Sequence, residues 1–253
     1  MRAAFVIFKR DFLTTVLSPL FFIICALCGF LWTYLFLRSV YQFEQQSAIA
    51  MQLGQVANLH QQVVMGHLSS THIILLLAIP LLTMRSLAEE KKNRTYDLLL
   101  TSPISSTDIA IGKYFACFGA VLLLLLLSAL YPLGLGLVAD LAAGPFMTAY
   151  LAMILLSGLY TAVGVFTSAC TSSSLLSGFL AIVFNLIILF SGQLSGLSDH
   201  PLMSEVLKQI SVTIHLQSLF SGTIEVKSLV FFTTVIGFFV FLSQRMVEAS
   251  RWR

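Results

Sequence analysis

Apolar residues run along this chain in long blocks, broken by short polar and charged stretches. A helix that crosses a bilayer needs about 20 mainly apolar residues, within a range near 17–25. Six blocks meet that length: residues 18–38, 68–87, 109–131, 145–168, 175–194 and 228–244. Pro80 lies inside the second block and predicts a kink there. Tyr131, Pro132, Gly134 and Gly136 loosen the end of the third, and Pro145 opens the fourth. A small-residue turn from Thr167 to Ser174 leads into the fifth. Residues 2–13 place Phe5, Phe8 and Phe12 on one helical face and Arg2, Lys9 and Asp11 elsewhere. That is the pattern of a helix lying in the membrane interface; an extension of the first span fits equally well. Residues 39–66 are rich in Gln, with Ile49, Leu53, Val56, Leu59 and Val63 at helical spacing. They form either an amphipathic helix outside the bilayer or a prolongation of the first two spans.

Composition removes the soluble alternative. Apolar residues make up 58% of the 253 positions and charged residues 10%, where a soluble domain carries roughly 25% charged. No Asp, Glu, Lys or Arg occurs from Gln45 to Met84, Tyr114 to Ala139 or Leu141 to Ser198. Such stretches are solvated by lipid, and helical backbone is the form that satisfies its own polar groups there. The net charge of +3 does not point to nucleic acid, because the basic residues sit at span ends rather than on one face. With the N-terminus in the cytoplasm, eleven of the 14 basic residues lie inside and only Arg38, Lys208 and Lys227 outside. The bias of Lys and Arg toward the cytoplasm therefore predicts both termini inside. Lys9 and Arg10 before an apolar run imitate a signal peptide, but the run is too long for one and no small-residue cleavage site follows. The expectation is a retained anchor and one membrane domain over residues 1–253.

Candidate chemistry is sparse. Cys25 and Cys28 form a C-x-x-C inside a span with no His or Asp nearby, so packing is the better reading than a redox or metal pair. His67 and His72 lie near an outer boundary of the spans, and His60, His200 and His215 in outer segments. None makes a recognisable ligand cluster, and no metal is expected. Chemistry at membrane depth needs ionisable groups in the spans, so no catalytic residue is assigned. A P-loop is absent: Gly112-Lys113 is followed by Tyr114, and Thr107 stands where the first Gly belongs. Gly134-Leu-Gly136-Leu-Val-Ala139 fits a dinucleotide fingerprint formally but follows a membrane helix, not a strand. The chain is expected to bind no cofactor itself. In the fourth span Gly158/Ala162 and Gly164/Ser168 have the spacing that lets helices approach closely; packing within the chain is favoured over a subunit interface. Asn185 is a lone amide deep in the fifth span, suited to a helix–helix hydrogen bond or to a pathway.

The most informative stretch is residues 84–114. The second helix is expected to run to about Lys92, with Lys91 and Lys92 favourable at its C-terminal dipole. Asn93 can take the left-handed cap conformation. Thr95 can cap a second short helix, with Asp97 in its first turn. Leu98, Leu99 and Leu100 give that helix an apolar surface, Pro103 ends it, and Ser106 can cap the third span.

Here the sequence resembles a known family. Glu89-Glu90-Lys91, Thr95, Asp97, Leu99-Leu100 and Pro103-Ile104-Ser105, followed by Ile109, Gly112, Lys113 and Tyr114, are similar to the permease subunits of type-2 ABC exporters. The likeness is strongest to the branch that includes gliding-motility and nitrous-oxide-reductase-maturation permeases. It extends through Val163-Gly-Val-Phe-Thr-Ser168, His215, Ser218, Gly222 and Ile224, and the Arg-Trp-Arg tail. One position departs: the family usually has Gly before the Thr, where this chain has Arg94. The resemblance implies an all-α integral membrane protein with six transmembrane helices, an N-terminal interfacial helix and a cytoplasmic coupling helix. It implies a bacterial inner-membrane permease, paired with a second identical or homologous permease and served by two separate ATPase subunits that bind ATP and magnesium. The ATPase contacts expected from it are Glu90, Lys91, Lys92, Arg94, Thr95, Tyr96, Asp97, Leu99 and Leu100, led by Tyr96, Leu99 and Leu100. A membrane scaffold of a surface or motility machine is the alternative; a membrane enzyme is disfavoured by the missing in-span acids.

Overall fold

A computed structural model describes residues 2–52, 58–101, 103–139, 143–194, 209 and 211–252. Every regular element among them is helical: α1 (Arg2–Val16), α2 (Pro19–Gln52), α3 (Met65–Thr83), α4 (Ala88–Lys92), α5 (Tyr96–Thr101), α6 (Ser106–Leu135), α7 (Ala143–Cys170), α8 (Ser174–Leu194), α9 (Val212–Phe220) and α10 (Val226–Ala249). Six helical stretches among the described residues are long and apolar enough to cross a membrane: Pro19–Gln52, His60–Lys92, Ser106–Leu135, Ala143–Cys170, Ser174–Gly192 and Val226–Ala249.

The N-terminal segment is a helix of its own. Ser18 breaks the chain between α1 and α2: its hydroxyl donates to the Thr15 carbonyl at 2.7 Å and accepts from the Phe21 N–H at 3.2 Å. Pro19 then opens α2, where a missing N–H costs nothing. The described part of residues 39–66 prolongs the neighbouring spans: α2 continues to Gln52, and a π-helical turn, His60–Val64, leads into α3. Span two does not run unbroken to Lys92. It stops at Thr83, and turns at 84–87 separate it from α4. The third span is capped by Ser105, one residue before the expected Ser106: the Ser105 hydroxyl accepts from the Asp108 N–H at 3.0 Å. Within the outer connection, α9 is an additional helix, while 195–208 and 210 lie outside the described residues. Its His215 meets Ser228 Oγ at 3.0 Å.

α7 is the central helix, packed against α3, α6, α8, α9 and α10. The main core, with Trp32, Leu68, Ile79, Leu124, Met153, Leu156 and Tyr160, fills the space around it. Phe22, Phe30 and Leu37 of α2, Leu126 and Leu130 of α6, and Phe179 and Ile187 of α8 point outward. In water that surface would be untenable; in lipid it is the solvated one. Close approach is bought with small residues. A Cβ on Gly164 would lie 2.8 Å from Thr83 Cβ, so α7 crosses α3 there. A Cβ on Gly158 would lie 3.2 Å from both the Tyr114 hydroxyl and Ile236 Cδ1, packing α7 against α6 and α10. Both glycines face neighbours within this chain.

Candidate functional site: a hairpin at the end that carries both termini

A second, smaller apolar cluster gathers Ile7 of α1, Leu87, Tyr96, Ile109, Cys117, Val165, Ala169 and Val247. It brings α1 and the end of α10 to one end of the bundle, and α4 and α5 form a short hairpin across that end.

The hairpin's shape follows from its hydrogen bonds. Thr95 N–H donates to the Glu90 carbonyl at 3.0 Å and Arg94 N–H to the Lys91 carbonyl at 3.3 Å. This pair of reversed bonds is the Schellman motif, which requires a left-handed residue just past the helix. That residue is Arg94, at φ 57°. Asn93, expected to take the turn, keeps φ at −85°. The position where the family carries Gly therefore keeps the glycine-type backbone, with a side chain on it. Thr95 does not act as the expected cap; its hydroxyl points back to the Glu90 carbonyl at 3.3 Å.

Three anchors hold the hairpin to the spans. The first is Ser168, near the end of α7. Its hydroxyl accepts from the N–H groups of Leu87 and Ala88, both at 3.0 Å, and faces the Met84 carbonyl at 3.2 Å. It so satisfies orphan donors at the start of α4 that no local residue reaches. The second is Lys91, whose ammonium donates to the Ala169 carbonyl and lies over the Tyr96 ring, 5.1 Å from its centre. The third is Lys113 of α6. Its ammonium, on a side chain only 4% exposed, reaches Glu90 Oε1 at 2.7 Å, Asp11 Oδ2 at 2.8 Å and the Ser86 carbonyl at 2.7 Å. Arg10 adds a bond to the same Glu90 oxygen at 3.1 Å and one to Asp11 at 2.7 Å. One buried cation thus joins α1, α4, α6 and the turn after α3. Gly112 beside it makes this possible: a Cβ there would lie 2.9 Å from the Ala4 carbonyl oxygen and from Ile7 Cβ. The Gly-Lys pair is a crossing point followed by a clasp.

The expected partner contacts divide accordingly. Tyr96 is buried, and burial raises its phenol pKa above the usual value, so the ring stays neutral. Leu99 and Leu100 are half-buried against the same cluster. Glu90 and Lys91 point inward to Lys113 and Ala169. Tyr96, Glu90 and Lys91, all expected among the ATPase contacts, thus also bond and pack within this chain. The outward face of the hairpin carries Lys92, Asn93, Arg94, Thr95, Asp97 and Leu98. Leu98, 73% exposed, is the apolar residue on that face. Asp11, Ser168 and Leu98 were not singled out as site residues; Lys113 was noted only within its motif. A lone lysine inside an apolar span was the available signal.

Deeper in the bundle, His67 is buried rather than interfacial. Its Nε2 lies 2.9 Å from Ser128 Oγ, which lies 3.0 Å from Thr71 Oγ1. His72 Nε2 meets the Tyr160 hydroxyl at 2.8 Å. Asn185 is fully buried, and neither end of its amide has a partner among the described residues. Among those residues no cluster of His, Cys, Asp or Glu is suited to a metal.

An all-helical bundle with six candidate spans and a clasped hairpin at one end defines a multi-pass membrane protein. The chain matches the ABC-2 family transporter proteins over residues 5–247 and belongs to that family, as a membrane permease component. Among curated proteins no relative matches it.

Proposed function

We propose that this chain is the membrane-spanning subunit of an ATP-driven exporter. Its α4–α5 hairpin docks on one of two separate ATPase subunits and passes their movement into the bundle of a permease dimer. The reading places the hairpin and both termini in the cytoplasm and the spans in a bacterial inner membrane. Its main support is the combination of an outward Leu98 with three inward anchors: a surface made for a partner, mounted on connections that reach α1, α6 and α7. Burying Leu98 contributes about 1.5–3 kcal/mol, and Lys92, Arg94 and Asp97 around it would set orientation. ATP and magnesium would be bound by the partner, and closure of the ATPase pair would move the hairpin as a rigid body.

The test separates docking from anchoring. Leu98→Asp should abolish co-purification of the ATPase while thermal stability stays at the wild-type value, since Leu98 stands exposed among the described residues. Tyr96→Ala should lower stability as well as binding. Full ATPase binding and activity in Leu98→Asp would reject the docking face. A wild-type complex that shows no ATP-dependent change in its spans would replace the exporter with a scaffold.

A further inference from the structure

Between α1, the α3–α4 turn and α6 lies a cavity of 380 Å³. Thr14, Thr15 and Ser18 line one wall, Arg85, Glu89, Glu90 and Lys113 another, and Leu20 and Leu82 the membrane side. Its charges are unevenly satisfied. All three contacts of the Lys113 ammonium are taken. Glu90 Oε2 is buried with no hydrogen-bond partner among the described residues. Neither Arg85 nor Glu89 has a side-chain partner there, although both line the cavity. What the walls lack is a donor for the buried Glu90 oxygen, and a few residues away they offer an exposed guanidinium to an anion. A single ligand with an N–H-bearing cation and a phosphate supplies both. The position, where α2 begins and α3 ends, is the level at which lipid headgroups lie.

We propose that this cavity binds the headgroup of an ethanolamine phospholipid. The ammonium donates to Glu90 Oε2 and Glu89. The phosphate takes Arg85 and the hydroxyl of Thr15, and the acyl chains leave past Leu20 and Leu82. The lipid would then sit across the same α1–α4–α6 junction that Lys113 clasps. The proposal requires only that the chain lies in a membrane, and not that the hairpin binds an ATPase.

The test uses the full chain purified in mild detergent, with its cysteines changed to Ala and Thr14→Cys added, so that the exposed position 14, which lines the cavity, carries the remaining thiol. Phosphatidylethanolamine, phosphatidylcholine and soluble phosphoethanolamine are titrated in turn. Native mass spectrometry counts bound lipid, and the rate of maleimide reaction at position 14 reports occupancy. Phosphatidylethanolamine should bind about tenfold more tightly than phosphatidylcholine, whose quaternary nitrogen has no N–H to donate to a carboxylate. It alone of the two lipids should slow labelling. The double variant Arg85→Gln, Glu89→Gln should lose the preference at an unchanged melting temperature. Equal binding of the two lipids, a preference that survives the double variant, or a labelling rate at position 14 indifferent to phosphatidylethanolamine would overturn the proposal. Protection by phosphoethanolamine without protection by the lipid would overturn the lipid source in favour of a soluble amine.

Discussion

Lys113→Met is the perturbation that bears hardest on this structure. Methionine keeps the length and apolar stem of the side chain and removes the ammonium. Two ion pairs, at 2.8 and 2.7 Å, and a bond to the Ser86 carbonyl disappear together. Glu90 keeps Arg10, but Asp11 keeps only the more exposed contact with it. Removing one partner of a fully buried pair costs about 3–5 kcal/mol. Here the carboxylates retain 15% and 20% exposure, so water can recover part of that, and about 2–3 kcal/mol is the reasonable figure. For a chain of this size that lowers the melting temperature by roughly 4–12 °C. With Cys25 and Cys170 changed to Ala, a thiol-reactive dye reads unfolding directly, because the remaining Cys28 and Cys117 are buried. The diagnostic result is the recovery. Adding Asp11→Asn and Glu90→Gln removes the carboxylates left without their lysine and should restore more than half of the loss, although each alone destabilises the wild type. That sign reversal is the coupling expected of groups sharing one contact. A Lys113→Met chain that melts within about 2 °C of wild type, or a triple variant no better than the single, would show that the clasp carries no energy.

Arg94→Gly should stabilise the hairpin by about 0.5–1 kcal/mol, since glycine relieves a left-handed strain of about 1–2 kcal/mol and gives back part of it as chain entropy. Slower hydrogen exchange at the Thr95 amide would show it, and faster exchange would contradict the Schellman geometry. Gly164→Ala should lower the melting temperature through a loss of about 1–3 kcal/mol, because the new methyl meets Thr83; an unchanged temperature would mean that α3 and α7 slide freely. Single cysteines replacing Gln55, Ser102 and Asp199, in a cysteine-free chain, should react with an impermeant reagent from outside intact cells at the first and third positions only. Labelling at 102 would invert the proposed orientation.

Much of the architecture was legible because a spanning helix solves a local problem. Twenty apolar residues without charge must satisfy their own backbone bonds, and nothing distant changes that. The six spans are therefore where the hydropathy pattern put them, whereas the pattern left open whether residues 2–13 form a helix of their own or extend the first span. The hairpin was legible as a break near residue 93, but not the residue that turns. Asn is the better left-handed former, yet the bonds to Glu90 and Lys91 carbonyls place Arg94 in that conformation. The buried histidines were misplaced for a related reason. His67 and His72 lie near the edge of an apolar block, and only the packing of α6 and α7 beside α3 brings Ser128 and Tyr160 to them.

Sequence alone determined that this chain lies in a membrane, how many times it can cross, and that no familiar nucleotide or metal motif accompanies the spans. Those properties depend on runs of neighbouring residues. Tertiary structure alone decided which side of α5 is free. A short helix reading Tyr-Asp-Leu-Leu-Leu-Thr is apolar almost all round, and its periodicity cannot choose a face. Ile7, Ile109 and Val247, drawn from the two ends and the middle of the chain, bury Tyr96 and leave Leu98 outside. The same holds for the charges: Glu90 reads as a surface carboxylate until Lys113, 23 positions away, is folded beneath it.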